Sequence, residues 1–283
     1  MFTETHVPVS DDPAVSLLLA EAAGPAGSAL LVIHGGPDWD HTYLRDPLSD
    51  LAGRHHLLLP DLRGCGRSTL GLADEHYTWD AVVADLLALL DTRGVEHADV
   101  LGFSAGGLVA QRLALTAPER VRRLVIASSS VVPLPPDAFA TWHERTRRRA
   151  EGESRLETGL HGPAFTRAHA AAFARMNVWR EESLANYLGR IAAIHFSGDW
   201  LRIHAAGKMP SPRVPDAEQR LAVSEIPVLL LHGRYDMTFP VELAEQAAEH
   251  VPAARAVILE DAGHMAHIDQ PERWLAALAE FLD

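Results

Sequence analysis

Ser104 stands in Gly102-Phe103-Ser104-Ala105-Gly106, with the apolar run Ala98 to Leu101 before it and the helix-prone stretch Gly107 to Leu113 behind it. This context places the serine in a tight strand-to-helix turn, its hydroxyl exposed at a strand end. Glycines two residues either side are expected there because a Cβ would collide with neighbouring backbone. A serine hydroxyl is a weak nucleophile at neutral pH, so acyl transfer needs an adjacent base to take its proton. His264, in Asp261-Ala262-Gly263-His264, is expected to be that base. Its imidazole must be held in one tautomer, and Asp236, after the apolar run Leu229 to Leu231, is expected to accept its Nδ1 proton and stabilise the imidazolium. Asp137 and Asp261 are weaker choices: the first lies beyond a proline run and the second is only three residues from the histidine. Cys65 has no base beside it in sequence.

An anionic tetrahedral intermediate also needs preorganised donors. Ala105, directly after the serine, is expected to supply one backbone N–H. The other is expected from the loop after Leu31-Val32-Ile33, which reads His34-Gly35-Gly36-Pro37. Pro37 has no N–H, which leaves Gly36. His34 is expected to orient this loop rather than to transfer protons.

The chain order serine, acid, histidine, each after an apolar run of strand length, resembles the α/β-hydrolase superfamily over nearly the whole chain. The resemblance implies a mostly parallel, eight-stranded sheet flanked by helices, with a helical cap. It also favours His264 over His267, because Gly-His-x-x-x-x-Asp-x-Pro is similar to the superfamily's histidine loop, with Asp269 where glutamate is usual. Asp61-Leu62-Arg63-Gly64-Cys65-Gly66-Arg67-Ser68 is similar to the loop after the fourth strand in many members and is expected to be structural. Together with His34-Gly35-Gly36-Pro37 it resembles the proline iminopeptidase branch, whose members remove an N-terminal proline. The chain departs from that branch at Asp38 and in the cap. There the branch carries Arg-Ile-Glu-Asn-His-Tyr-Phe with the glutamate holding the substrate's amine, and this chain reads Arg190-Ile191-Ala192-Ala193-Ile194-His195-Phe196. On that alignment Ala192 replaces the amine anchor, and a buried ammonium without an ionic partner is strongly disfavoured.

The elements that must position these residues are legible as a pattern. Apolar runs recur at Val15 to Leu19, Ala29 to Ile33, His56 to Leu59, Ala98 to Leu101, Leu124 to Ala127, Val228 to Leu231 and Ala256 to Leu259. Several are apolar at every position, as strands buried on both faces of a parallel sheet require. Between them Trp79, Val82, Val83, Leu86 and Leu90 share one helical face, with Thr78 placed to cap its start and Gly94 its end. The alternation breaks where proline clusters begin and end a helical, aromatic-rich stretch. The expected division is a core of 1–132 and 216–283 with a cap of 133–215. Phe165, His169, Phe173 and Met176 are expected on one helical face of the cap, and Arg145, Arg147, Arg148 and Arg149 on a solvated one.

A chain of 283 residues, 47 % hydrophobic and 22 % charged, can bury a large core. Its formal charge of −13 argues against nucleic acid or an anionic membrane as partner. A single cysteine rules out an internal disulfide, and the start lacks a basic and an apolar leader region, so a cytoplasmic setting is expected. The expectation is a cofactor-free, metal-free enzyme cleaving an ester, amide or related acyl bond of a small hydrophobic molecule, with Phe103, Trp142, Phe173, Met176, Trp179, Ala192 and Phe196 around the substrate. Its rivals are acyl transfer, cyclisation or carbon–carbon chemistry in secondary metabolism at the same site, proline iminopeptidase-type activity, and a non-catalytic binding protein. Oligomeric state is left open.

Overall fold

The computed structural model describes residues 1–283. Eight strands, β1 (Thr3–Asp11), β2 (Ala14–Ala22), β3 (Ala29–Ile33), β4 (His56–Pro60), β5 (Ala98–Phe103), β6 (Val121–Ala127), β7 (Val228–Gly233) and β8 (Ala254–Leu259), form one sheet in the order β1-β2-β4-β3-β5-β6-β7-β8. β2 runs antiparallel to both neighbours, and every pairing from β4 through β8 is parallel. All residues of β3, β5 and β7 are buried, which is why they read as predominantly apolar runs, broken only by Asp99 in β5 and His232 in β7. Successive side chains serve opposite faces: Leu31 and Ile33 join one apolar core, Leu30 and Val32 the other. The mostly exposed edge strand β1 carries no such run; it is the one strand of the expected eight that the apolar runs did not mark, stabilised by its pairing with β2.

The helices are α1 (Trp79–Thr92), α2 (Ala105–Thr116), α3 (His143–Arg155), α4 (Gly162–Ala172), α5 (Ser183–Ala192), α6 (Asp199–Ala205), α7 (Ala217–Ala222), α8 (Val241–His250) and α9 (Pro271–Leu282). α1 starts where expected: the Thr78 hydroxyl accepts the Ala81 amide at 3.2 Å, and Trp79, Val82, Val83, Leu86 and Leu90 are buried. α3 to α7 fill the interval between β6 and β7. Two features there differ from the sequence reading. Trp200 and Ile203 of α6 belong to a core packed beneath the sheet, Trp200 stacking on Trp79 with ring centroids 4.3 Å apart. Arg148 is buried rather than solvated; it donates to the carbonyls of Arg175 and Val178 and lies over the Trp179 ring. Helical periodicity placed Arg145, Arg147, Arg148 and Arg149 together, but a 100° step separates neighbours: Arg148 is buried, Arg145 is half-buried and donates to the Met237 carbonyl at 2.8 Å, and Arg147 and Arg149 stay exposed.

The turn after β5 is possible only with glycine. A Cβ on Gly106 would lie 2.2 Å from the Ile33 carbonyl oxygen and 2.4 Å from that of His34, and one on Gly102 would lie 2.3 Å from the Gly106 oxygen. The obstacles are backbone and cannot rotate away. Gly106→Ala is expected to destabilise the fold by about 3 kcal/mol or more, at the upper end of overpacking effects, read from the urea midpoint at pH 7. A midpoint equal to wild type would contradict the close approach.

Candidate functional site

Ser104 joins β5 to α2 with φ 54° and ψ −122°, a conformation that non-glycine residues avoid and that persists only where surroundings impose it. They do so here: the Ser104 amide donates to the Ala127 carbonyl at 2.9 Å, and the Gly107 amide donates back to the Ser104 carbonyl at 2.9 Å. The side chain is thereby pushed out of the turn and is partly exposed.

Asp236 follows β7 and His264 follows β8, so neighbouring parallel strands deliver both to the same sheet edge as Ser104. His264 Nε2 lies 3.0 Å from Ser104 Oγ, and its Nδ1 lies 2.8 Å from Asp236 Oδ2. With Nδ1–H donated to the carboxylate, the Nε2 lone pair faces the serine hydroxyl, the tautomer a base needs. Asp236 is fully buried, and its Oδ1 accepts the amides of Thr238 and Phe239 at 2.7 and 2.9 Å. Burial disfavours its ionised form, but the imidazoles of His264 and His232 outweigh that and hold the carboxyl well below the usual carboxylate range. His232, buried against Asp236 at 3.3 Å, was not anticipated. Burial pushes its imidazole down, yet Asp236 carries it up on balance. A histidine four residues before the expected acid was the available signal.

The loop after β3 presses against the serine. A Cβ on Gly35 would lie 2.8 Å from Ser104 Cβ, and the Gly35 amide is held by the Tyr43 hydroxyl at 2.7 Å. Gly36 follows with φ 83°, and its amide donates to no acceptor in the protein. His34 spans the loop, accepting the Leu62 amide on Nε2 at 3.1 Å with Nδ1 2.9 Å from the Gly35 carbonyl. Asp61 binds the His41 imidazole and the Arg67 amide, while Arg63 forms a bidentate ion pair with Asp85 at 2.6 Å. These groups hold loops together. Cys65 is buried, which pushes its thiol up and away from nucleophilic use.

A family model described as alpha/beta hydrolase fold matches residues 28–271. The chain belongs to the α/β-hydrolase fold family. It is similar to 2-hydroxymuconate semialdehyde hydrolase of Pseudomonas sp. strain CF600, 29 % identical over 274 residues that cover 91 % of this chain and 87 % of that one. Among solved structures, a proline iminopeptidase-related protein from Thermus thermophilus superposes with a TM-score of 0.73 at 25 % identity, covering 100 % of this chain and 97 % of the other. A thermophilic esterase from Thermogutta terrifontis shares the fold, with a TM-score of 0.74 at 24 % identity over 99 % and 98 % of the two chains. No helix of this α/β hydrolase is long and apolar enough to cross a membrane.

The structure disperses the expected substrate contacts. Ala192 is a correction: it is exposed at the end of α5, one residue past the buried Ile191, because α5 buries Ser183, Tyr187 and Ile191 at a four-residue spacing. Phe103 is buried against Tyr43, His264 and His267, and Phe196 packs edge-on against Trp39. Trp179 stacks on Tyr235, and Phe173 stacks on His169 and packs against Gly152. Met176 is half-buried in the single turn Ala174–Asn177, separated from α4 by a break at Phe173. Trp142 borders a separate cleft with Tyr235 and Val241. A cavity of ≈ 420 Å³ opens beside Gly36 and is lined by Trp39, Phe165, Trp200, Leu201 and Met209. Of these, Trp39, Leu201 and Met209 carried no sequence signal, since only tertiary folding brings their segments together.

His267 is fully buried among Tyr43, Phe103 and Trp274 with neither ring nitrogen bonded. Burial first, and then the charge of Arg190, hold it well below its ordinary value, so it is neutral when folded. Above about pH 6.5 it is neutral in both states and its contribution is complete; below that, the unfolded imidazole takes a proton that the folded one refuses, and stability falls. His267→Leu is therefore expected to flatten the acid-side loss of stability by about 1.4 kcal/mol per pH unit below pH 6. Urea titrations of both proteins between pH 5 and 7 check this, and parallel curves would contradict it.

Proposed function

We infer that this α/β hydrolase cleaves an ester, amide or related acyl bond of a small, largely apolar molecule through an acyl-enzyme on Ser104. The observation that carries the reading is the relay Ser104–His264–Asp236, with separations of 3.0 and 2.8 Å, on a serine held at φ 54°. In this mechanism Ser104 Oγ bonds to the acyl carbon while His264 Nε2 takes its proton, and Asp236 stabilises the resulting imidazolium. The tetrahedral oxyanion is received by the amides of Gly36 and Ala105. Collapse breaks the bond to the leaving group, which takes the proton from His264. Water then gives His264 a proton and attacks the acyl carbon; collapse breaks the bond to Ser104 Oγ, which takes that proton back from His264, and the acid is released. The largely apolar cavity beside Gly36 supports an uncharged substrate group.

The test is labelling with a fluorophosphonate followed by peptide mass spectrometry. One adduct on Ser104, absent from folded Ser104→Ala, is expected. A folded wild-type protein that gains no adduct would leave the acyl-enzyme reading without its nucleophile and favour a binding role.

A further inference from the structure

Asp38 occupies a backbone conformation that suits glycine, φ 69°, yet carries a carboxylate and is 2 % exposed. A non-glycine residue is strained there, so the side chain must act on something that glycine cannot. Its Oδ2 accepts the Leu201 amide at 2.7 Å, and its Oδ1 accepts the Trp200 amide at 3.0 Å. The Ser197 hydroxyl lies 3.0 Å from Oδ1 and 2.6 Å from the Gly64 carbonyl, its one proton serving either, while the Ser197 amide donates to the Asp38 carbonyl at 2.9 Å. Burial pushes the carboxyl up, and these amides and the hydroxyl pull it down. The bonded partner, residues 197–201, is itself fixed to the core: Trp200 Nε1 donates to the Arg63 carbonyl at 2.9 Å, and its ring stacks on Trp79. Asp40 extends the same seam by accepting the His195 amide at 2.9 Å.

We propose that Asp38 is a positioning residue for acyl transfer, holding the Gly36 amide at the oxyanion by tying the loop 34–38 to the segment 197–201. This rests on the function inferred above. Only Pro37, whose ring locks its own φ, separates Asp38 from Gly36, so a displacement at one is passed to the other. On the opposite side the loop is pinned by the Tyr43 hydroxyl at Gly35. Gly36, whose amide has no protein acceptor, is thereby clamped from both flanks. Freed from Asp38, the loop aims its donor less well, and the main loss falls on the transition state.

The decisive variant is Asp38→Gly, which relieves the backbone strain while removing the carboxylate. Hydrolysis of p-nitrophenyl butyrate, the rate of fluorophosphonate labelling and the thermal midpoint are measured on wild type and variant. A kcat lowered by about 10- to 100-fold, less than the about 10²- to 10³-fold that removing an oxyanion donor outright costs, with KM within about twofold and labelling slowed in parallel, is expected. Wild-type kcat and labelling in Asp38→Gly would show that the position needs only its backbone shape and would overturn the proposal. So would a rise confined to KM. Should Asp38→Gly not fold, Asp38→Asn carries the same expectation with a smaller fall in kcat, because its amide nitrogen cannot accept from the Trp200 or Leu201 amide. Wild-type protein that never labels refutes the serine mechanism itself and this role with it, whereas equal labelling of both proteins refutes only the role of Asp38.

Discussion

Ser104→Ala is expected to lower kcat by about 10⁶-fold on any ester the wild type turns over, the scale seen when a relay nucleophile is removed. The reasoning is geometric. His264 Nε2 faces Ser104 Oγ at 3.0 Å, so deleting the hydroxyl leaves a base with nothing to activate except adventitious water. Adding His264→Ala to Ser104→Ala is expected to change kcat little further, because the groups act as one unit and their effects do not add. Stability should not fall, since the hydroxyl makes no bond apart from that to His264 and alanine keeps the same Cβ in the turn. Stopped assays and urea midpoints on the single and double variants check both halves. A Ser104→Ala protein retaining a tenth of wild-type kcat would place the chemistry elsewhere.

Asp236→Asn is expected to lower kcat by about 10⁴-fold while leaving the fold intact. The amide matches the carboxylate in shape, but its oxygen is needed by the Thr238 and Phe239 amides, which occupy the Oδ1 position at 2.7 and 2.9 Å. That orientation turns the NH₂ toward His264 and His232. A donor facing His264 Nδ1 favours the tautomer with its proton on Nε2, which cannot accept from Ser104. The imidazolium formed during attack also loses its counter-charge. The distinguishing measurement is the pairing of a large fall in kcat with an unchanged thermal midpoint. If kcat falls less than about tenfold, a range too small for loss of the relay acid, the acid is not Asp236.

The three residues proposed for the relay could be picked out of the sequence because each carries a local signal. A buried parallel strand reads as an unbroken apolar run, and a residue just beyond its end must emerge at one edge of the sheet; Ser104, Asp236 and His264 all satisfy that condition in the chain order of the fold. Glycines 102 and 106 added a steric requirement that backbone carbonyls impose within a few residues of the turn or across one strand. The substrate contacts had no comparable signal. An aromatic residue in an amphipathic helix looks the same whether it faces a cavity or a neighbouring helix, and Phe173, Trp179 and Phe196 turned to their neighbours. Ala192 was placed by analogy with another sequence, and one helical step decided that it faces outward.

What the chain alone determined is therefore the sheet, the turn and the chemical types and order of the groups at its edge, since these follow from patterns of hydrophobicity and from short-range sterics. Tertiary structure decided what lies around them: His232 behind Asp236, an uncharged His267 in an aromatic box, Arg148 against Trp179, and Asp38 bonded to a residue 163 positions away. Hydrogen bonds and packing between distant segments depend on distance in space and leave no period in the sequence, so only the folded chain reveals them.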